Sequence, residues 1–142
     1  MSKWVKNWFS NFEKLESPFV YQGIEFWTVE NFYQAMKVDK SDIETRKKIA
    51  SVSASESKKL GKKVKLRSDW EKIKFEVMEY GLRKKFVPGS KWHQKLMESG
   101  SEEIVEWNNW GDRIWGKTMD GIGQNHLGKI LMKIRDEYKA NA

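Results

Sequence analysis

Between Thr28 and Glu71 the chain spells four helix starts, and that density restricts it to a mainly helical fold. Thr28 is an N-cap ahead of a short helix, Val29 to about Lys37, because its hydroxyl can accept a backbone N–H of the first turn. Ser41 with Glu44, Ser53 with Glu56 and Ser68 with Glu71 repeat the capping-box spelling, in which cap and third helical residue satisfy each other's N–H groups. Gly61 is a stop for the second of these helices. The third box opens the longest helix, Asp69 to Phe86, which ends before Pro88. Its apolar residues form two stripes, Trp70, Ile73, Val77 and Phe75, Met78, Leu82, Phe86, as expected of a central core helix. Trp92 to Met97 is a further short helix, and Glu102 to Trp107 is a short strand or a loop. Leu127, Ile130, Leu131, Ile134 and Tyr138 recur at helical spacing and place a last amphipathic helix near the end. Trp4 to Phe12 reads as aromatic and irregular. Phe19 and Tyr21 alternate before Gln22-Gly23, and Ile24 and Phe26 alternate after it, so Pro18 to Trp27 is a hairpin. A lone hairpin is marginal and needs helices to pack on. The expected architecture is a compact, mainly α single domain over 1–142 with one small N-terminal β-hairpin.

Two compositional facts narrow the chemistry. Cysteine is absent and histidine is limited to His93 and His126, so neither a thiolate nor a histidine-built metal site is expected. The start, MSKWVKNWF, has no apolar core of a signal peptide, and no apolar run approaches a membrane span. A soluble, cytoplasmic protein with no membrane partner is the expectation. The charge is uneven. Arg46 to Lys85 holds 14 Lys and Arg against 5 Asp and Glu, a net of +9, which leaves −2 for the rest of a chain of net +7. Such a block suits a polyanion or a phosphorylated ligand, although a solvated helical surface explains it as well. Most of the 8 tryptophans must be core. Trp107, Trp110 and Trp115 crowd beside a glycine-rich loop, where an indole can stack a planar base.

That loop holds 5 of the 10 glycines, between Gly111 and Gly128, with Asp112, Trp115, Asp120 and Asn125 among them. A Gly-rich loop ahead of a helix can turn N–H groups toward phosphate, and glycine can equally serve turns alone. Gly111 to Thr118 also fits the P-loop expression, but a P-loop follows a buried strand and opens directly into a helix. Here EWNNW precedes and MDGIG follows, so the match is accidental. On the short first helix, Val29, Phe32 and Met36 share one face. Glu30, Tyr33, Gln34 and Lys37 share the other, with Glu30 in the first turn where the helix dipole favours its ionised form. Acids are common in first turns and polar residues on outer faces, so this pattern alone also fits a plain solvent-facing surface.

Read in order, four blocks resemble the NADAR family, also called YbiA-like. They are Ser10-Asn11-Phe12 with Pro18-Phe19; Thr28-Val-Glu30-Asn-Phe-Tyr-Gln34-Ala35-Met-Lys37; Leu60-Gly61 with Leu66-Arg67-Ser-Asp-Trp70-Glu71; and Asp112-Arg-Ile-Trp115-Gly116 with Asp120-Gly121-Ile-Gly123-Gln-Asn125-His-Leu127-Gly128-Lys-Ile-Leu-Met132. Asn31 stands where many members have His. The stretch from Val87 to Asn108 matches only loosely. The resemblance implies a mainly α fold and an N-glycosidase acting on ADP-ribose-like or phosphoribosyl compounds. Some members look like enzymes that remove ADP-ribose from modified guanine bases. Others are similar to hydrolases of phosphoribosylamino-pyrimidines, intermediates of riboflavin synthesis.

By that resemblance, Glu30 and Asp112 are the catalytic pair, one stabilising the oxocarbenium-like charge or activating water and the other positioning ribose or sharing the proton. Which does which depends on separation and burial, which sequence does not give. Lys37 would meet a phosphate or an anionic leaving base. Asn11 and Gln34 would hydrogen-bond ribose or base, and Trp70 and Trp115 would stack the base or wall off water. The loop from Gly121 to Gly128, with Gly123 and Asn125 in it, would cradle pyrophosphate, with Phe12, Arg67 and Gly116 as further binding positions. No metal or cofactor is required. The expected ligand contains ADP-ribose or a phosphoribosyl group, on ADP-ribosylated nucleic acid or free. A binding module that keeps only the fold is the rival reading.

Overall fold

The computed structural model describes residues 3–4 and 10–142. The expected aromatic stretch at Trp8 and Phe9 lies outside the described residues. The fold is mainly α, with a small hairpin near the N-terminus. By compactness the chain divides into two units: one is Asn11–Lys85, and the other is Phe86–Ala142 with the N-terminal strand.

The first unit begins with the hairpin. Strands β1 (Phe19–Tyr21) and β2 (Ile24–Phe26) pair antiparallel, with Phe19 opposite Phe26 and Tyr21 opposite Ile24. The turn residues Gln22 and Gly23 both have positive φ (54° and 75°), which matches the twist of a two-residue hairpin. Four helices follow: α1 (Val29–Ala35), α2 (Ile43–Ser51), α3 (Ala54–Gly61) and α4 (Trp70–Lys85). Phe32 of α1 is the hub. Its ring meets Phe19, Tyr21 and Phe26 edge-on and stacks on Tyr80 of α4, with centroids 5.2–5.5 Å away. Aromatic pairs in this range contribute about 1 kcal/mol each beyond their burial. Gly81 lets α4 come this close, since a Cβ there would stand 3.1 Å from Val29 and 3.2 Å from Phe32.

Two helix starts differ from expectation. The cap of α2 is Asp42, whose carboxylate accepts the Thr45 N–H (3.2 Å) and hydroxyl (2.8 Å). Ser41 instead donates its N–H and hydroxyl to Asp39, closing the turn before the helix. An ionised Asp with a Thr three residues on outcompetes the serine box one residue earlier. Helix α4 starts at Trp70, with the Asp69 carbonyl accepting from Lys72 and Ile73. The Ser53 cap is as expected, accepting from Glu56 N.

In the second unit, β3 (Lys3–Trp4) pairs parallel with β4 (Ile104–Val105), and β5 (Trp107–Asn108) pairs parallel with β6 (Lys117–Thr118). Helix α5 (Lys91–Glu98) is capped by Ser90, and α6 (His126–Ala140) closes the chain. Its buried residues are Leu127, Gly128, Leu131, Ile134 and Arg135, so the expected apolar face is present with a cation in it. Lys117 and Thr118 lie in a strand, as a P-loop would not allow. Among the described residues no helix is long and apolar enough to cross a membrane.

Candidate active site

Every residue of α1 is buried, on both faces. The polar face that could have met solvent is therefore interior, and its groups must be satisfied by one another or by a ligand. Glu30 is 8% exposed and Gln34 4%. Gln34 Nε2 donates to Glu30 Oε2 at 2.5 Å, one helical turn apart. The Glu30 N–H is held by the Asn11 carbonyl at 3.0 Å, which brings the Ser10-Asn11-Phe12 block to the start of α1. Asn11 Nδ2 donates to Met78 Sδ. Two acceptors are then left over: Asn11 Oδ1 and Gln34 Oε1 are buried with no hydrogen-bond donor among the described residues. Leaving such atoms unmatched costs about 1–3 kcal/mol each, and a ligand hydroxyl removes that cost.

The Lys37 ammonium feels this carboxylate. Lys37 follows Gln34 by one turn, and its Nζ lies 5.4 Å from the Tyr33 ring centroid. Burial pushes its amine down, Glu30 pulls it back up, and Lys58 and Lys62 push it further down. Lys58 Nζ stands 5.9 Å over the ring of Phe12. Trp70 is buried and packs edge-on against Tyr33 at 5.1 Å, walling this side of the helix. Arg67 donates its backbone N–H to the Lys37 carbonyl, while its guanidinium is engaged by Asp69 at 2.6 and 3.2 Å. Asn31 has a scaffold role. Its oxygen accepts the Thr28 hydroxyl, and its Nδ2 donates to the carbonyls of Ile49 and Val52 at the end of α2. An amide with two donor hydrogens suits that position; a neutral imidazole has only one.

The remaining expected residues belong to the second unit, where they shape one loop. Asp112 Oδ1 accepts the N–H groups of Ile114 (3.0 Å) and Trp115 (2.9 Å), and its own N–H goes to Asn108 Oδ1. Asp120 likewise accepts from the Thr118 hydroxyl, Ile122 N and Arg113. In the loop from Gly121 to Gly128, expected with Asn125 as a pyrophosphate cradle, several backbone donors turn inward. Gly121 N donates to Thr118 O, Gln124 N to Arg113 O and Asn125 N to Gly116 O. The first two helix amides, His126 and Leu127, donate to Ile114 O and Trp115 O. These donors are spent within the loop. The glycines are explained by crowding: a Cβ on Gly116 would stand 2.0 Å from Glu106 O, and one on Gly123 2.2 Å from Gly116 O. The Asn125 side chain joins the strands, accepting from Glu106 N and donating to Ile104 O. Trp115 rests edge-on against His126.

Asn11, Phe12, Glu30, Gln34, Lys37 and Trp70 thus gather around α1, and Asp112, Trp115, Gly116, Gly121, Gly123 and Asn125 around the loop ahead of α6. Besides Glu30, the charges that act on Lys37 are those of Lys58, half-buried on α3, and Lys62, exposed at its C-cap. Among the described residues no cluster of three His, Cys, Asp or Glu side chains is placed to hold a metal ion.

A buried carboxylate braced by an amide, with a lysine nearby on a mainly α scaffold, has the makeup of a glycosidase site. The NADAR domain model matches residues 1–139, and the chain belongs to that family. An N-glycosidase of Nostoc punctiforme is 36% identical over 119 residues, which are 80% of this chain and 76% of that protein. The N-glycosidase YbiA of Escherichia coli is 30% identical over 130 residues, 91% of this chain and 79% of that one. The NMR structure of E. coli YbiA superposes with a TM-score of 0.80, covering 94% of this chain and 79% of the other. A riboflavin biosynthesis protein of Vibrio vulnificus is 34% identical over 116 residues, 80% of this chain but only 31% of that longer protein. The reaction class that goes with the two relatives matched over most of their length is N-glycosidic hydrolysis.

Proposed function

We propose that this protein hydrolyses the bond between ribose C1 and a base nitrogen in an ADP-ribose-like substrate, releasing ADP-ribose from a modified guanine base. The observation that carries the reading is Glu30: a carboxylate buried in the first turn of α1, fixed by Gln34, with hydroxyl acceptors unmatched on Asn11 and Gln34 beside it. As the C–N bond breaks, positive charge grows at C1 and a carboxylate stabilises it. Glu30 then takes a proton from the attacking water as the new C1–O bond forms, and that proton passes to the nitrogen of the departing base, which returns Glu30 to its carboxylate. Asn11 and Gln34 accept from the ribose hydroxyls, and Lys37 faces the anionic part of the substrate. Asp112 is assigned to the shape of its own loop, since one of its oxygens already accepts two backbone N–H groups.

A second reading, hydrolysis of a phosphoribosylamino-pyrimidine, draws support from the Vibrio relative named for riboflavin biosynthesis. Mass spectrometry separates the two when the protein is incubated with an ADP-ribosylated guanine oligonucleotide, with NAD, and with the pyrimidine. Free ADP-ribose from the oligonucleotide is the expected product. Glu30→Gln lowers turnover by about 10²–10⁴-fold while keeping ligand affinity. Asp112→Asn, which can still accept both N–H groups, keeps most activity. Turnover of the pyrimidine alone selects the second reading, and binding of ADP-ribose with no turnover of any compound overturns both.

A further inference from the structure

We propose that Met78 is a positioning residue for the reaction: its sulfur fixes which way round the Asn11 amide is turned, and so keeps the amide oxygen available to a ribose hydroxyl. This rests on the glycosidase reading of Glu30 and deepens it by one residue behind Asn11. The Asn11 backbone is anchored, since its carbonyl takes the Glu30 N–H at 3.0 Å. Its side chain is half-buried, and the freedom left to it is rotation of the amide. Nδ2 donates to Met78 Sδ at 3.4 Å. Met78 is 2% exposed, on α4. It precedes Gly81 by three residues, so it lies on the face of α4 that Gly81 brings against Val29 and Phe32 of α1. One helix face therefore supports α1 and also the amide beside the start of α1.

The two ends of a primary amide are close to equal in size, so packing alone does not choose between them. Partner chemistry does. A thioether has lone pairs and no hydrogen to give, so it attracts the NH2 end and repels the oxygen. The oxygen is then turned to the other side, where it is buried with no donor among the described residues. An acceptor left so is unfavourable in the empty protein, and a ligand hydroxyl relieves it. A leucine at this position would fill similar space and leave both orientations open. A hydroxyl or an amine there would donate to the oxygen and consume the acceptor. Methionine packs as an apolar side chain and still dictates the orientation. Gln34 reaches the same end by another partner: its Nε2 is committed to Glu30, and its Oε1 is left unmatched. Both amides present oxygen, so the group they ask for is a hydrogen-bond donor.

The side-chain amide signals of Asn11 and Gln34, followed by heteronuclear NMR, test this directly. In Met78→Leu the Asn11 pair is expected to shift and to exchange its protons with water at least about tenfold faster, while the Gln34 pair stays as in the parent. Leu82→Met, an equally conservative swap one turn along α4, leaves both pairs alone. Calorimetric titration with ADP-ribose reads the consequence. Met78→Leu weakens binding by about three- to tenfold, because only a fraction of the amides then turn oxygen toward the ligand. In an Asn11→Ala background the same substitution weakens binding no further, as coupled residues require. An Asn11 amide unchanged by Met78→Leu overturns the proposal, as does an equal loss of affinity with and without the Asn11 side chain, which would mark a packing effect. A protein that binds no ADP-ribose, with the Asn11 amide still released by Met78→Leu, would leave the pairing standing and remove the glycosidase reading instead.

Discussion

Among the described residues three cations are interior. Arg46 and Lys85 are each 1% exposed and Arg135 is 3% exposed. Arg46 spends its guanidinium on the Val38 carbonyl and on Gln22 of the hairpin turn, tying the hairpin to the loop after α1. Arg135 reaches Ser99 Oγ and the Glu102 carbonyl from α6. In sequence all three are indistinguishable from solvated charge, because a lone Arg or Lys in a helix carries no mark of its depth. Lys85 makes the sharpest prediction. Burial pushes its amine down from 10.5 to about 7, with Glu13 opposing. The unfolded chain therefore binds more protons than the folded one between those two values, and Lys85's contribution to stability rises with pH across that window. Below about 7 both states are charged and the folded state bears the full desolvation cost. Lys85→Met is expected to be more stable than the parent at neutral pH, by an amount of order a few kcal/mol, with the gap closing toward pH 10 at up to ~1.4 kcal/mol per unit. Urea unfolding of both proteins across that range measures it. A gap that does not change with pH would show that the buried ammonium carries no such cost.

Helix α3 shows how an element can be right while the reason for a residue in it is not. Gly61 ends the helix as its sequence suggested, but it does not take the left-handed conformation of a glycine stop. It is glycine because Gln34 occupies the space of its side chain. Gly61→Ala is expected to displace the Gln34 amide from Glu30 and to lower kcat by at least about tenfold, with a loss of stability of about 1–3 kcal/mol from overpacking. Steady-state kinetics and thermal melts check the two arms, and unchanged kcat would show that the amide has no part in turnover. The same distinction marks what was legible overall. Thr28, Ser53, the hairpin turn and the apolar face of α6 were readable because local hydrogen bonds and periodicity decide them. The parallel bridges β3–β4 and β5–β6 were not, because two-residue strands carry no alternation and their pairing depends on distant chain. The glycine loop was legible as special, while the partners of its donors were not. Sequence shows where N–H groups are, and only the fold shows that Thr118, Arg113, Ile114 and Trp115 already accept them. Full burial of α1 was hidden too, since its polar face faces protein rather than water.

At the scale of the whole chain, the structure trims the basic block that pointed toward a polyanion. Of the charge between Arg46 and Lys85, those two end residues are interior. Arg67 is paired with Asp69, Lys74 with Glu71 and Arg83 with Glu79, at 2.6–2.9 Å. The dense remainder is Lys58, Lys59, Lys62, Lys63 and Lys65, on α3 and just beyond it. A single strand of nucleic acid meeting only those side chains touches few phosphates. Each contact releases counterions worth a slope of about −0.7 in log affinity against log salt. Contact with three to five phosphates thus predicts a slope of roughly −2 to −4 for an ADP-ribosylated oligonucleotide, measured with the Glu30→Gln protein so that substrate survives the titration. The full net charge of the block would have given about −6. A free sugar phosphate, touching the protein through one phosphate, predicts a slope shallower than about −1. If the oligonucleotide titrates as weakly as the sugar phosphate, the strand adds nothing to recognition and the free metabolite becomes the better substrate. If it falls between −2 and −4, and Lys59→Gln/Lys63→Gln lowers the slope without changing sugar-phosphate affinity, then the exposed lysines on α3 and just beyond it follow the strand, and holding the reacting ribose is a separate task of the residues around Glu30.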